Sequence, residues 1–548
     1  MDPATPTFAS QLLAQANNEG PAVYFEDQTI SYRDFVSQAK AVAAYINQRV
    51  DRSKPPHIGV LLENTPDYLL WIAGAAFARA VIVGINPTRR GAELERDLGH
   101  TDCQFVVTDH AQADLLPRSA ELLCVDDADY ATVFDDFLGV ELSVQPQATD
   151  PLLLLFTSGS TSAPKAVVCS TGRLAAAGIR CIDIFGMRPD DVAYCPMPLF
   201  HGNALMACWS PALAVGAPVA LRRKFSASGF LADIRRYDCS FFTYVGRSIA
   251  YVLAQPPTEH DRDNRLRLGF GTEASLRDRE LFMERFDCPL LENYGSSESV
   301  ITLNRTDETP AESLGVAIES PTSDIIVANP ATGDECPPAV FDEHGALVNG
   351  NESIGELVNR AGLGSFEGYY NNTEATQDRL RNGWYWSGDL AYRDADGYIY
   401  FAGRSSDWLR VDSENFAAAP VENILQRLDD AVMIAVYPVP DVRTGDQVMA
   451  AIEYRDGYRF DPDEFATFLG QQPDLGTKWA PKFVRLASAI PLTANNKVNK
   501  QPLRAEAWDC TDPVYWRPDR ELVYRLLTDD DRAALAAEMA TNGITRTI

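Results

Sequence analysis

Short apolar runs alternating with helical ones constrain this chain more than any other feature. His57–Leu62 (HIGVLL), the VIVGINP run at 81–87 and QFVVTD at 104–109 are each long enough for one strand and lack a polar face. Between them lie the apolar helical run Leu69–Ala80 and a second helical stretch, Gly91–Leu98. Strands buried on both faces and separated by helices form a mostly parallel sheet with helices packed against it. The pattern resumes after residue 152. A helix near Leu174–Phe185, a break at CPMPLFHGN, an apolar helix, the strand APVALR, a helix over Ser228–Tyr237 and the strand FFTYV follow in order. Ahead of it all, VYFEDQTISYRDF predicts a hairpin and then a helix capped by Ser31.

At 548 residues the chain exceeds one ordinary domain of roughly 100–200 residues. Its texture changes after Glu312, where Gly and Pro become frequent and strands short. Gly383–Arg404 reads as a hairpin turning at Asp394–Gly397. Past Arg404 a smaller α+β pattern begins, with helices at Pro420–Leu428 and Asp463–Leu469, and a helix at Asp529–Met539 ends it. The expected class is therefore α/β. A large N-terminal domain, 1–404, would hold mostly parallel sheets and a β-rich subdomain at about 312–404. A small α+β domain would occupy 405–548.

The net charge of −29 is spread along the chain, which argues against nucleic acid and against docking on an anionic membrane by charge. No apolar run approaches the ~18 residues of a transmembrane segment, and the N-terminus lacks a signal-peptide pattern, so a cytoplasmic location is expected. The ten cysteines form no CxxC pair and, like the six histidines, are scattered, which disfavours a zinc site.

One stretch carries chemistry by itself. Leu152–Val168, LLLLFTSGSTSAPKAVV, is a buried-strand pattern that stops in small and hydroxyl residues before a single lysine. Gly lets backbone N–H groups turn toward an anion, hydroxyls donate to it, and Lys165 adds charge. A polar surface turn is the alternative on composition alone. A second glycine pattern, Gly269-Phe270-Gly271-Thr272-Glu273-Ala274, after a strand over Arg265–Gly269, formally matches a dinucleotide fingerprint, but no acidic residue is clearly placed about 20 positions later on a second strand.

The hydroxyl loop resembles the signature of the adenylate-forming enzymes, which include acyl-CoA synthetases, luciferases and peptide-synthetase adenylation domains. Ser162 stands where Gly is usual. Further stretches resemble the family in order: Glu292-Asn293-Tyr294-Gly295-Ser296-Ser297-Glu298, Trp386-Ser387-Gly388-Asp389-Leu390, Gly403-Arg404, and Pro491 to Lys500, where Asn496 replaces Gly.

The resemblance implies roles. Thr157, Ser158, Gly159, Ser160, Thr161 and Lys165 would hold the ATP phosphates. Asn293, Tyr294, Gly295 and Ser297, with Gly271, Thr272 and Glu273, would line the nucleotide site, and Glu298 would hold Mg2+. Asp389 and Arg404 would meet the ribose, and Lys497 would be the catalytic lysine. His201, Tyr244, Val245, Gly246 and Gly269 would shape the acid pocket. Ser406 and Asp407 would lie at a hinge, and Ser413 and Glu414 beside a thiol channel.

Within the family, TYVGRSIAYVLAQPPTEHDRDNRLRLGFG and DWLRVDSENFAAAPVENIL resemble the fatty-acid-transport-protein and very-long-chain acyl-CoA synthetase branch. The implied activity is an AMP-forming ligation of a large hydrophobic carboxylic acid to coenzyme A, using Mg2+ and ATP. An adenylating enzyme that passes the acyl group to a carrier protein or an amine shares these motifs. A non-catalytic acid-binding protein on this fold is a second alternative and a dehydrogenase a remote third. The motifs name neither the acid nor the oligomeric state, and they leave a homodimer open.

Overall fold

The computed structural model describes residues 6–142, 145–157, 165–246, 248–306, 308–343, 347–404, 408–411, 414–442, 445–455, 457–476, 478–493, 497–519 and 521–541, without the side chains of 404, 408, 410, 414, 415 and 445. The apolar runs become two sheets. One has strands in the order 122–124, 105–108, 57–61, 81–84, 151–156, 166–170, all parallel until the last, which folds back antiparallel on its neighbour. The other runs 290–292, 268–272, 241–245, 193–195, 219–221, 21–25, 28–31 and is parallel except for the terminal hairpin. Ser31 caps the helix Tyr32–Arg49 as expected, its side chain accepting from the Asp34 N–H.

Both sheets share one buried apolar cluster. Ile58, Val60 and Leu153 of the first sheet and Val219, Phe241 and Val245 of the second pack around the helices Pro66–Ala78 and Thr171–Phe185. This is the parallel α/β body the alternation predicted. A third, antiparallel sheet uses 303–304, 315–317, 398–404, 384–393, 355–359 and 325–328. Its central hairpin turns at Asp394, whose Oδ1 accepts from the N–H groups of Asp396 and Tyr398. A fourth, mixed sheet holds the strands from 408 to 526, with separate apolar clusters on its two faces. Among the described residues no helix is long and apolar enough to cross a membrane.

Two expectations need correction. The apolar run after CPMPLFHGN is not a plain α-helix: Asn203–Trp209 is a π-helix that continues into the α-helix Ser210–Val215. The glycine pattern at 269–271 is not a loop after a strand either. It lies inside the strand Leu268–Thr272. Gly269 pairs with Phe242 and Gly271 with Tyr244 on the neighbouring strand, and the two aromatic rings lie over the glycines. A Cβ on Gly269 would stand 2.5 Å from Phe242 Cζ and from Leu290 Cδ2; one on Gly271 would stand 2.4 Å from the Tyr244 ring. These glycines make room for aromatic side chains, which removes the dinucleotide reading.

Gly269→Ala is expected to destabilise the fold by about 1–3 kcal/mol through overpacking. Urea unfolding with an unchanged slope but a lowered midpoint would register it. An unshifted midpoint would mean that the rings move aside without cost.

Candidate active site

The strand Pro151–Phe156 and its antiparallel partner Ala166–Ser170 bracket the hydroxyl loop, so the loop tips a hairpin rather than opening a helix. Thr157 N–H donates to the Lys165 carbonyl at 3.0 Å and closes its base. Ser158, Gly159, Ser160, Thr161 and Ser162 lie outside the described residues. At the mouth stands Lys165. Burial lowers the pKa of its ammonium, with the Arg379 guanidinium acting in the same direction.

The residues after the loop are tied to the Glu292–Glu298 stretch by a side chain the motifs did not flag. Arg173, in the first turn of the helix Thr171–Phe185, donates to the carbonyls of Val168 (2.7 Å), Ser297 (2.6 Å) and Glu298 (2.8 Å). One buried guanidinium thus aligns the hairpin with the acidic turn. The Glu298 side chain is buried, and its Oε1 accepts from the Tyr369 hydroxyl at 2.5 Å. Tyr369 in turn lies under the Lys165 ammonium, 5.8 Å from ring centroid to Nζ. A carboxylate is a hard oxygen ligand of the kind Mg2+ takes.

Further along the cleft, the Tyr294 hydroxyl donates to Asp389 Oδ2 at 2.5 Å. Asp389 is aimed by the preceding glycine. Gly388 adopts φ +77°, and a Cβ there would lie 2.7 Å from Arg379 Nη1. Its N–H donates to Glu356 Oε1 at 2.7 Å. Arg379 also holds the Ser387 carbonyl at 2.6 Å. Asp389 pairs in register with Arg404, whose side chain lies outside the described residues.

The far side of the cleft is closed by the C-terminal part of the chain. Lys497 Nζ meets Glu273 Oε1 at 2.7 Å. Glu273 holds a left-handed backbone, φ +73°, just past the end of its strand. The adjacent Ala274 N–H donates to Glu292 Oε1 at 2.9 Å, and that same oxygen accepts from Tyr244 at 2.7 Å. Burial raises the Glu292 pKa.

His201 lies close enough to Lys497 to feel its charge. Burial first, and the Lys497 ammonium second, push its imidazole down to about 3. Among the described residues, its buried Nε2 has no hydrogen-bond partner, nor have Oδ1 of Asn203 and of Asn293.

The structure thus gathers Thr157, Lys165, Glu298, Tyr294, Asp389, Glu273, Lys497 and His201 from distant segments. Tyr244 packs in the aromatic cluster with Phe242 and Phe282, and Gly269 lies against Phe242 and Leu290. Val245 faces the cluster shared by the two sheets, Gly246 follows it at φ +59°, and Gly295 has open space around its Cα. Ser406, Asp407, Ser413, Asn496 and the Glu414 side chain lie outside the described residues. Among the described residues one group of metal-ligand type, His110, Cys124 and Asp127, lies at the sheet edge opposite the hairpin, largely exposed.

Parallel α/β sheets, a hydroxyl hairpin and a lysine delivered from the C-terminal part define an adenylate-forming architecture, and comparison with known proteins agrees. The AMP-binding enzyme family model matches residues 11–370, and the chain belongs to that family. The chain is 47% identical to the steroid-22-oyl-CoA synthetase of Rhodococcus jostii (strain RHA1), over 98% of both proteins. It is 43% identical to the medium/long-chain-fatty-acid–CoA ligase FadD17 of Mycobacterium tuberculosis (strain ATCC 25618 / H37Rv), over 94% of this chain and 99% of that one. Among solved structures, ATP-bound MatB from Rhodopseudomonas palustris superposes with a TM-score of 0.79 at 21% identity, covering 91% of this chain and 98% of that one. At that identity it speaks for the fold alone.

Because the folded pKa of His201 lies below its ordinary value near 6.5, the unfolded chain binds the proton first, so stability is lost as pH falls from 7. The loss from this group between pH 7 and 5 is about 2 kcal/mol. His201→Asn should flatten the pH dependence of the unfolding free energy over that range, measured by urea titration. An unchanged slope would contradict a neutral buried imidazole.

Proposed function

We propose that this chain is an AMP-forming acyl-CoA ligase acting on a large hydrophobic carboxylic acid in the cytoplasm. Its large portion, 1–404, would bind ATP and the acid, and its smaller portion, 405–548, would carry the catalytic lysine. The observation that carries the reading is Lys497 reaching the cleft at Glu273 and standing near His201. The acid class rests on the relatives, which are named for steroid-22-oyl and for medium- and long-chain fatty acids.

In the first step a carboxylate oxygen attacks the α-phosphorus of ATP, the bond to pyrophosphate breaks, and an acyl-adenylate forms. Lys497 offsets the negative charge that gathers between the carboxylate and the α-phosphate, from a position fixed before the reaction. Lys165 and the hairpin hydroxyls grip the departing phosphates. Glu298 would hold Mg2+, which supplies charge neutralisation on those oxygens when bound. Asp389, oriented by Tyr294, accepts from the ribose hydroxyls. Neutral His201 lines the acid side and offers a hydrogen bond without adding a second positive charge. In the second step the sulfur of coenzyme A attacks the acyl carbonyl and AMP leaves.

Lys497→Ala is expected to lower ATP–pyrophosphate exchange by about 10²–10³-fold, the scale of losing one preorganised charge-stabilising group. Transfer from a supplied acyl-adenylate to coenzyme A should stay within about tenfold of wild type. A screen of steroid and fatty acids in the exchange assay identifies the acid. Full exchange in the variant would overturn the assignment of Lys497.

A further inference from the structure

The segment 273–277 touches the C-terminal part of the chain at two separate points. Glu273 meets Lys497, and four residues on Arg277 reaches the turn after the helix Ala418–Leu425. Arg277 Nη1 donates to the Leu428 carbonyl at 2.7 Å, and Nη2 donates to the Asp429 carbonyl at 3.2 Å and to Asp429 Oδ1 at 2.9 Å.

The position is costly without those acceptors. Arg277 is the second residue of the helix Leu276–Phe286, where the positive end of the helix dipole disfavours a cation. Its partners lie just past the negative, carbonyl end of another helix. The guanidinium therefore joins the start of one helix to the turn that follows another, one from each part of the chain.

Elsewhere the C-terminal part meets the rest of the chain through Ala417, buried with Ile354, Leu390 and Ala402. The interface around Arg277 is a cleft lined by Ala250, Leu253 and Arg277 on one side and by Asp429, Ala431 and Met433 on the other. Tyr251 adds a partly buried contact to the cluster around Met433. The joint thus mixes apolar and charged side chains, as interfaces between separable portions do.

We propose that Arg277 is a positioning residue, holding the Leu428–Asp429 turn so that Lys497 stands at the cleft for adenylate formation. This rests on the ligase reading above. Arg277 touches none of the reacting groups and acts through the placement of Lys497. Its contribution belongs to the first half-reaction, which needs Lys497, and not to transfer of the acyl group to coenzyme A.

The test measures both half-reactions and hydrogen exchange in wild type, Arg277→Ala, Arg277→Lys and Asp429→Ala. Arg277→Ala should lower ATP–pyrophosphate exchange about tenfold or more, with transfer from supplied acyl-adenylate within about twofold of wild type or faster. Arg277→Lys keeps the charge but not the fork that reaches three acceptors, so it should recover part of the loss. Asp429→Ala leaves both carbonyls in place and should cost no more than about threefold. Amide exchange over 428–433 and 497–503 should rise in Arg277→Ala without a change in the melting temperature. Exchange activity within twofold of wild type, or both half-reactions falling together, overturns the proposal. If wild type activates no acid, the ligase reading fails by itself. Hydrogen exchange still decides the latch, since unaltered protection in Arg277→Ala would refute it.

Discussion

The contact between Lys497 and Glu273 joins residues 224 positions apart, and a chain of further contacts sets the Glu273 end of it. Glu273 can face the lysine because its backbone turns left-handed at the end of a strand. That turn is held by Ala274 N–H on Glu292, Glu292 is held by Tyr244, and the Tyr244 ring has room because residue 271 is a glycine. A non-glycine residue at φ +73° persists only where its surroundings over-determine it. Here the surroundings are two parallel strands and one buried carboxylate. The glycines that resemble a dinucleotide fingerprint therefore serve the site indirectly, by packing.

A chain with a net charge of −29 still offers an anion site, because charge is sorted by position. Acidic residues dominate the surface as a whole, whereas Lys165, Arg173 and Arg379 converge beside the hairpin. Arg173 donates to the carbonyls of 168, 297 and 298, and Arg379 to those of 386 and 387 and to the Tyr369 side chain. They shape the cleft and leave Lys165 as the cation nearest the loop mouth. Burial lowers the Lys165 pKa and so keeps its proton less firmly held than in water, which an arriving phosphate would reverse. Bulk charge thus speaks against nucleic acid without speaking against ATP.

The strand–helix alternation was legible in the sequence because burial on both faces leaves an unmistakable apolar run. Thr157, Lys165, Glu298, Asp389 and Lys497 could be singled out because they sit in short local patterns. Arg173, Tyr369, Arg379 and Arg277 could not. Each acts through a partner far away in sequence, and the only local sign is a charged or polar group where a helix or strand would not choose one. Arg277 shows this best, since a cation in the first turn of a helix is the kind of local conflict that tertiary contacts resolve. The strand over Leu268–Thr272 was displaced because glycine reads as a turn, and the rings that fill its place belong to another strand. The π-helix after His201 has no periodicity distinct enough to separate it from an α-helix.

Among the described residues, the ion pairs with both side chains largely buried lie within one portion of the chain or the other. Arg485 and Asp512, inside the C-terminal sheet region, have side chains only 8% and 13% exposed, and Arg285–Asp261, inside the large portion, 15% and 5%. The pairs across the joint are wetter: Lys497–Glu273 at 26% and 44%, Arg277–Asp429 at 32% and 93%. Breaking a buried pair strands a charge away from water, whereas a solvated pair parts at little cost. Contacts of the second kind suit the role proposed for Lys497, which serves adenylate formation and not transfer to coenzyme A. Lys497–Glu273 and Arg277–Asp429 are therefore the contacts whose loss costs least if the C-terminal part moves from the cleft between the two proposed steps.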